Sequence, residues 1–134
     1  MTTAKHPPIL GIGNDIIEIE RIRKSLEEHG DRMLSRLFTP KEQEYCLKYE
    51  DPVPRFAGRF SAKEAVVKAL GTGIGKEVSW LDIEILNEES GKPYVCFSDR
   101  LKEKFPDTQI LISISHCNLY VSSFAIWTNF PSSF

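Results

Sequence analysis

The run Ile9-Leu10-Gly11-Ile12-Gly13 is apolar and glycine-spaced. It reads as a first strand whose glycines let another backbone come close, so the fold must place an element directly upon it. Asp15 follows, and a helix after it: Ile19, Ile22 and Leu26 stand three and four apart, on one helical face. Gly30 is a C-terminal stop for that helix. Met33, Leu34 and Leu37 then suggest a short second helical piece.

Thr39-Pro40-Lys41-Glu42 starts the next helix: threonine caps, proline suits the first helical position, and Glu42 completes a capping box. Pro52 and Pro54 end it, because the residue before a proline disfavours the α region. A helix over 55–70 follows and stops at Gly71, leading into the glycine-rich loop Gly71-Thr72-Gly73-Ile74-Gly75. Beyond it the chain reads mainly as strand. Leu81, Ile83 and Ile85 alternate with Asp82 and Glu84. Ser90-Gly91-Lys92-Pro93 makes a turn before a short strand over 94–97, and Ser98 caps a brief helix to about 105. Residues 110–115 and 120–127 form an antiparallel hairpin. Helices and strands are segregated more than alternated, which predicts an α+β fold with an antiparallel sheet packed against helices.

At 134 residues the chain suits one domain, expected over 9–127, with a loose lead-in over 1–8 and a tail over 128–134. Its 41% hydrophobic and 27% charged residues argue against disorder. A net charge of −2 argues against a duplex-binding domain, which needs a basic excess. Cys46, Cys96 and Cys117 are odd in number and lack metal-ligand spacing. They read as reduced thiols in or near the core. No apolar run approaches the ~20 residues of a membrane span. Residues 1–8 lack the apolar core of a signal peptide, so cytoplasm is the expected location.

The helix over 55–70 carries the chemistry. Phe56, Phe60, Val67 and Leu70 form its core stripe, and Lys63 falls in the same stripe. A charge there must be paired, reach a wet cavity or snorkel. Arg59 lies one turn before Lys63, and Glu64 and Lys68 lie at the stripe's edge. Glycine in the loop beyond lets backbone N–H groups face an anion, so basic residues beside it suit phosphates. A plainer reading stands beside this one, with Glu64 and Lys68 as a surface i,i+4 pair and Gly71 as a helix cap only. Asp15 is placed as a metal ligand or base at a strand end, or else as a helix cap. Asp15 and Glu64 together could hold one Mg²⁺, which takes few protein ligands and completes its shell with water and substrate phosphate. His116 ends the 110–115 strand, as a phosphate donor or a turn histidine.

In order along the chain, Gly11-Ile12-Gly13-Asn14-Asp15-Ile16, Arg21-Ile22, Phe38-Thr39 with Glu42 or Glu44, Arg59-Phe60-Ser61-Ala62-Lys63-Glu64-Ala65, Lys68-Ala69-Leu70-Gly71-Thr72-Gly73, Gly91-Lys92-Pro93 and Ile112-Ser113-Ile114-Ser115-His116 resemble the holo-acyl-carrier-protein synthases, which are phosphopantetheinyl transferases. The resemblance covers about 9–127. It implies the 4'-phosphopantetheinyl transferase-like fold, commonly a homotrimer with active sites at subunit interfaces. The reaction it implies is Mg²⁺-dependent transfer of the phosphopantetheine arm of coenzyme A to a serine of apo acyl carrier protein, releasing 3',5'-ADP, in fatty acid biosynthesis. By position, Asp15 and Glu64 resemble the magnesium ligands. Glu64 would help deprotonate the serine, directly or through a water, and Lys68 would stabilise or protonate the leaving phosphate. Arg59, Lys63, Lys68, Gly71, Thr72, Gly73 and His116 would line the coenzyme A site, and Arg21, Arg32 and Arg36 would meet the acidic carrier. Asn14 and Ser61 depart from the family's usual residues without removing a ligand. Competing readings are a different Mg²⁺-dependent phosphate transferase, indifferent to coenzyme A, and a non-catalytic module that binds carrier protein.

Overall fold

In a computed structural model, described for residues 9–129, ten elements follow one another. The expected lead-in over 1–8 and the end of the expected tail, 130–134, lie outside the described residues. Strand β1 (Ile9–Glu18) is longer than its apolar run implies, and Asp15 sits in its interior instead of at its end. Helix α1 (Ile19–Leu37) takes Glu18 as its N-cap residue, so Asp15 caps nothing. It is interrupted at Gly30 (φ 50°, ψ −129°), which separates two helical pieces. Helix α2 (Pro40–Leu47) shows both halves of its capping box: Thr39 Oγ1 accepts from the Glu42 N–H at 3.3 Å, and Glu42 Oε1 accepts from the Thr39 N–H at 2.8 Å. Helix α3 (Val53–Leu70) ends at Gly71, whose φ of 77° a residue with a Cβ rarely adopts.

The alternation at Leu81–Ile85 is only partly strand. Trp80–Asp82 is a short 3-10 turn in which Leu81 is exposed and Asp82 buried. The cause is Asp82, whose carboxylate accepts from the Ser79 N–H at 2.8 Å and the Ser98 hydroxyl at 2.7 Å, folding the backbone before the strand begins. Strands β2 (Ile83–Asn87) and β3 (Pro93–Phe97) pair antiparallel. Helix α4 (Asp99–Lys104) is capped by Ser98, and β4 (Gln109–His116) and β5 (Tyr120–Thr128) form the expected hairpin. Strand β1 adds to its far side, giving an antiparallel sheet in the order β1-β5-β4. Among the described residues no helix is long and apolar enough to cross a membrane.

Helix α3 is the centre of the molecule. It lies on the larger sheet with α2 and the β2–β3 pair against its other side, and its burial extends well beyond a narrow stripe. Its C-terminal half joins Val78, Ile83, Ile85, Leu101 and Ala125 in one apolar cluster, and its N-terminal half joins Ile19, Ile22, Phe38 and Val121 in another. Cys46 is buried, and burial pushes its thiol up to about 12. Cys117 is exposed, against the expectation that all three thiols are in or near the core, because it sits in the β4–β5 connection.

Inward-facing rows of the sheet run Gly11–Trp127–Ile110, Gly13–Ala125–Ile112 and Asp15–Ser123–Ile114. A Cβ on Gly11 would collide with the Ala69 carbonyl oxygen. One on Gly13 would collide with that of Ala65 and stand 2.7 Å from the Ala69 nitrogen. Helix backbone therefore rests on strand backbone, as the glycine spacing requires. Gly13→Ala is expected to destabilise the fold by about 3 kcal/mol, since rigid main chain must move to admit the methyl. Asn14→Ala, on the outward face, is expected to stay within about 0.5 kcal/mol. Urea unfolding of both variants checks this.

Candidate active site

Gly11, Gly13 and Asp15 alternate along β1 and share its inward face, so the close seat of α3 also sets the surroundings of Asp15. The Ser61 hydroxyl donates to the Asp15 carbonyl oxygen at 3.5 Å. One turn of α3 further on, Glu64 borders the same cavity as Asp15, a space of about 390 Å³. Lys68 Nζ donates to Asp15 Oδ1 at 3.1 Å and to the Asn14 carbonyl oxygen at 3.0 Å. The plain i,i+4 pairing of Glu64 with Lys68 is thus replaced by a bond across to the strand. Burial raises the Glu64 carboxyl above its ordinary range, the Asp15 charge raises it further, and Lys68 opposes both.

This arrangement suits a divalent cation. Two carboxylates border one cavity and one raises the other's proton affinity, a repulsion that a cation would relieve. Among the described residues no group of three or more His, Cys, Asp or Glu side chains is gathered for a metal. A donor set of two oxygen ligands favours Mg²⁺, which retains water and takes substrate oxygens, over a metal needing a full protein cage.

Arg21 also lines this cavity, with Ile17, Met33 and Phe60 as apolar wall. A neighbouring hollow of about 320 Å³ shares Ser25, Met33 and Phe60 with it and is edged by His29, Arg32 and Arg36. Phe60 stacks on Trp80 with ring centroids 5.0 Å apart. The three arginines placed at a partner surface therefore fall on α1 around the mouths of adjoining hollows. The sequence holds no local signal for the Phe60–Trp80 wall, because the two residues come together only through packing. A larger hollow, about 690 Å³ between β3 and β4, contains Lys102 and Asp107 but none of the residues above.

Lys63 and Arg59 point elsewhere. Lys63 is wholly buried, and its ammonium donates to Glu42 Oε1 at 2.7 Å, to the Leu37 carbonyl at 2.6 Å and to the Trp80 carbonyl at 3.0 Å. All three of its donors are engaged within the chain, so this lysine ties α3 to α1, α2 and the turn before β2. Burial lowers its pKa, and the Glu42 charge opposes that. Glu42 caps α2 and also accepts from the Ile85 N–H at 2.8 Å. Arg59 lies over the Tyr45 ring at 4.0 Å and bonds Asn87 Oδ1, while its Nε is buried without a partner.

His116 stands on the far edge strand. Strand β5 separates it from β1, which at ~4.8 Å between neighbours puts about 10 Å between the two edges. Within the chain it meets Arg55, whose Nη1 lies 3.2 Å from Nε2 and whose guanidinium covers Tyr49. Gly71, Thr72 and Gly73 form an exposed loop just past Lys68. The Gly71 and Thr72 N–H groups close the helix on the Val67 carbonyl at 2.9 and 3.2 Å. Among the described residues this leaves Gly73 as the first loop amide without an internal partner.

Comparison with known proteins places the chain in a family. A model of the 4'-phosphopantetheinyl transferase superfamily matches residues 11–125. The chain is 57% identical over 120 residues to the holo-[acyl-carrier-protein] synthase of Protochlamydia amoebophila, covering 90% of this chain and 98% of that one. A crystal structure of the holo-[acyl-carrier-protein] synthase of Neisseria meningitidis superposes with a TM-score of 0.82 at 34% identity, covering 89% and 98% of the two chains. The Bacillus anthracis synthase, solved in complex with CoA (3',5'-ADP), gives 0.79 at 38% identity, covering 91% and 98%.

The Lys63–Glu42 pair sets a stability expectation. Lys63→Met leaves the buried Glu42 carboxylate and two carbonyls without their donor, a loss of about 3–5 kcal/mol. Glutamine at position 42 is expected to cost a comparable amount, and the paired change to apolar residues less than the sum of the two. A double-mutant cycle in urea measures all three.

Proposed function

The chain belongs to the 4'-phosphopantetheinyl transferase superfamily, among its holo-[acyl-carrier-protein] synthases, and on that premise we propose how its residues move the phosphopantetheine arm of coenzyme A onto a serine of apo acyl carrier protein. The observation that carries the reading is the meeting of Asp15 and Glu64 at one cavity edge, with Lys68 bonded to Asp15, a strand and a helix far apart in sequence supplying the three. Asp15 and Glu64 would hold Mg²⁺, which supplies charge neutralisation and orientation for the diphosphate.

Glu64 takes the proton of the carrier serine, directly or through a water, from its half-buried place beside Asp15 at the cavity edge. The serine oxygen bonds to the phosphorus that bears the pantetheine arm, and the bond from that phosphorus to the bridging oxygen breaks. Lys68, half-exposed and already turned to Asp15, neutralises the charge gathering on the departing 3',5'-ADP. The loop at Gly71–Gly73, just past Lys68, faces the same substrate, with the Gly73 amide as its first open donor. Arg21, Arg32 and Arg36 present positive charge beside these hollows, the surface an acidic carrier would meet.

Arg59 and His116 do not border the cavity of their own chain, and in this reading they serve a site completed by a neighbouring subunit. The outward face of the larger sheet supports such an assembly. Ile12, Ile16, Leu111 and Phe124 stand 65%, 66%, 55% and 52% exposed on it, among uncharged Asn14, Ser113 and Ser122, with charge only at its margin. A homotrimer joined there accounts for the open face, and the cytoplasm and fatty acid synthesis are the setting that this activity implies.

Incubation with apo acyl carrier protein, coenzyme A and Mg²⁺ is expected to add one phosphopantetheine to the carrier by intact mass. EDTA is expected to abolish the gain, and Glu64→Gln to cut kcat by about 10²-fold or more. No gain over a panel of competent apo carriers sinks the reading. Phe124→Lys is expected to shift the protein from trimer to monomer in sedimentation velocity and to remove transfer while far-UV circular dichroism is kept.

A further inference from the structure

Helix α4 has no part in the chemistry described above, yet two of its side chains grip the loop beyond α3. Arg100 Nη1 donates to the Lys76 carbonyl oxygen at 3.4 Å, and Lys104 Nζ donates to the Glu77 carbonyl oxygen at 3.1 Å. The helix itself is firmly seated. Leu101 is wholly buried, and the Ser98 N–H before it donates to the Asp82 carbonyl oxygen at 2.8 Å. Arg100 also pairs with the Asp82 carboxylate. Burial pushes that carboxyl up, but Arg100, the Ser79 N–H and the Ser98 and Ser79 hydroxyls outweigh burial and bring it down to about 2. The Asp82 carboxylate is therefore ionised at neutral pH and holds Arg100 beside the loop's far leg.

The near leg is held differently, by the Gly71 and Thr72 amides folded back on α3. Between these anchors the backbone is exposed at Thr72, Gly73 and Gly75, and Ile74 packs inward against the core. The Gly75 N–H closes on the Val78 carbonyl at 2.8 Å. The placement of the Gly73 and Ile74 amides thus depends on where the second anchor sits. An amide aimed at a phosphate loses much of its value when its direction drifts, because hydrogen bonds weaken steeply off axis.

We propose that Arg100 and Lys104 are positioning residues for coenzyme A: by holding the Lys76 and Glu77 carbonyls they fix the loop amides that face the substrate's phosphates, without touching the substrate. The inference rests on the loop's place in the coenzyme A site. It distinguishes α4 from ordinary scaffold, because its loss should weaken coenzyme A and leave the carrier and the chemical step alone.

The test uses Lys104→Met, which removes one tie and leaves Asp82 paired, and Arg100→Lys, which retains a charge for Asp82 while losing the reach to Lys76. KM for coenzyme A is expected to rise about 3- to 10-fold in each, the range one hydrogen bond commands. The kcat is expected to stay within about twofold, as when an interaction equal in ground and transition states is lost. KM for the carrier and the melting temperature should hold, amide exchange across 73–77 should quicken, and Lys104→Arg should restore both. Unchanged coenzyme A affinity in Lys104→Met, or a fall in kcat with KM constant, overturns the proposal. Calorimetric binding of coenzyme A runs beside turnover. Wild-type protein that binds coenzyme A without transferring it removes the transferase reading and leaves the affinity comparison to judge α4; wild-type protein that does not bind it removes both.

Discussion

The main chain of α3 rests on the main chain of β1 with no side chain between them, and the rest of the site depends on that contact. Gly11 and Gly13 leave the space in which the Ala69 and Ala65 backbones sit. Because side chains alternate along a strand, Asp15 shares the inward face of those glycines. Because a helix turns every 3.6 residues, Glu64 and Lys68 flank the alanines that make the contact. A wider gap between helix and strand would move Lys68 from Asp15 and both carboxylates from one another. The geometry of the proposed site is therefore a consequence of backbone packing, and the conformational cost of two glycines in a strand is offset by what they let approach.

Helix α3 works on two sides with opposite electrostatic rules. Toward α2, Lys63 and Glu42 are wholly buried and every polar atom of the ammonium is satisfied. Such a pair adds little net stability compared with apolar packing, but it is intolerant of losing one member. It joins the end of α1, the cap of α2, the middle of α3 and the middle of β2 at one point. Toward β1, Asp15, Glu64 and Lys68 are only partly covered, and burial, with the Asp15 charge added, leaves Glu64 raised in proton affinity against the pull of Lys68. The buried pair anchors the helix on one side, and the wetter trio proposed for the chemistry stands on the other.

The capping box at Thr39 and Glu42, the Ser98 cap, the stop at Gly71 and the β4–β5 hairpin were all legible in the sequence, because each is settled by residues within a few positions of one another. The same holds for the glycine spacing of β1 and for the ordered motifs that mark the family. Local sequence could also single out Lys63 as a charge on an apolar stripe, though not what satisfies it. Its partners lie at Leu37, Glu42 and Trp80, and only packing chooses among a cavity, a snorkel and a buried pair.

Other features were decided by tertiary structure for the same reason. Lys68 had a partner in reach at Glu64, yet it bonds to Asp15, 53 positions away, because β1 is nearer to its ammonium. Leu81 and Asp82 alternate like strand residues, but Ser79, Ser98 and Arg100 converge on the Asp82 carboxylate and turn the backbone first. Sheet order set His116 on the edge opposite Asp15, although both belong to one list of motifs. The sequence by itself determined the elements, their caps and the family, since those follow from short-range sterics and hydrogen bonding. The tertiary structure decided which charges meet, because the energy of a buried or half-buried charge depends on its surroundings and not on its neighbours in the chain.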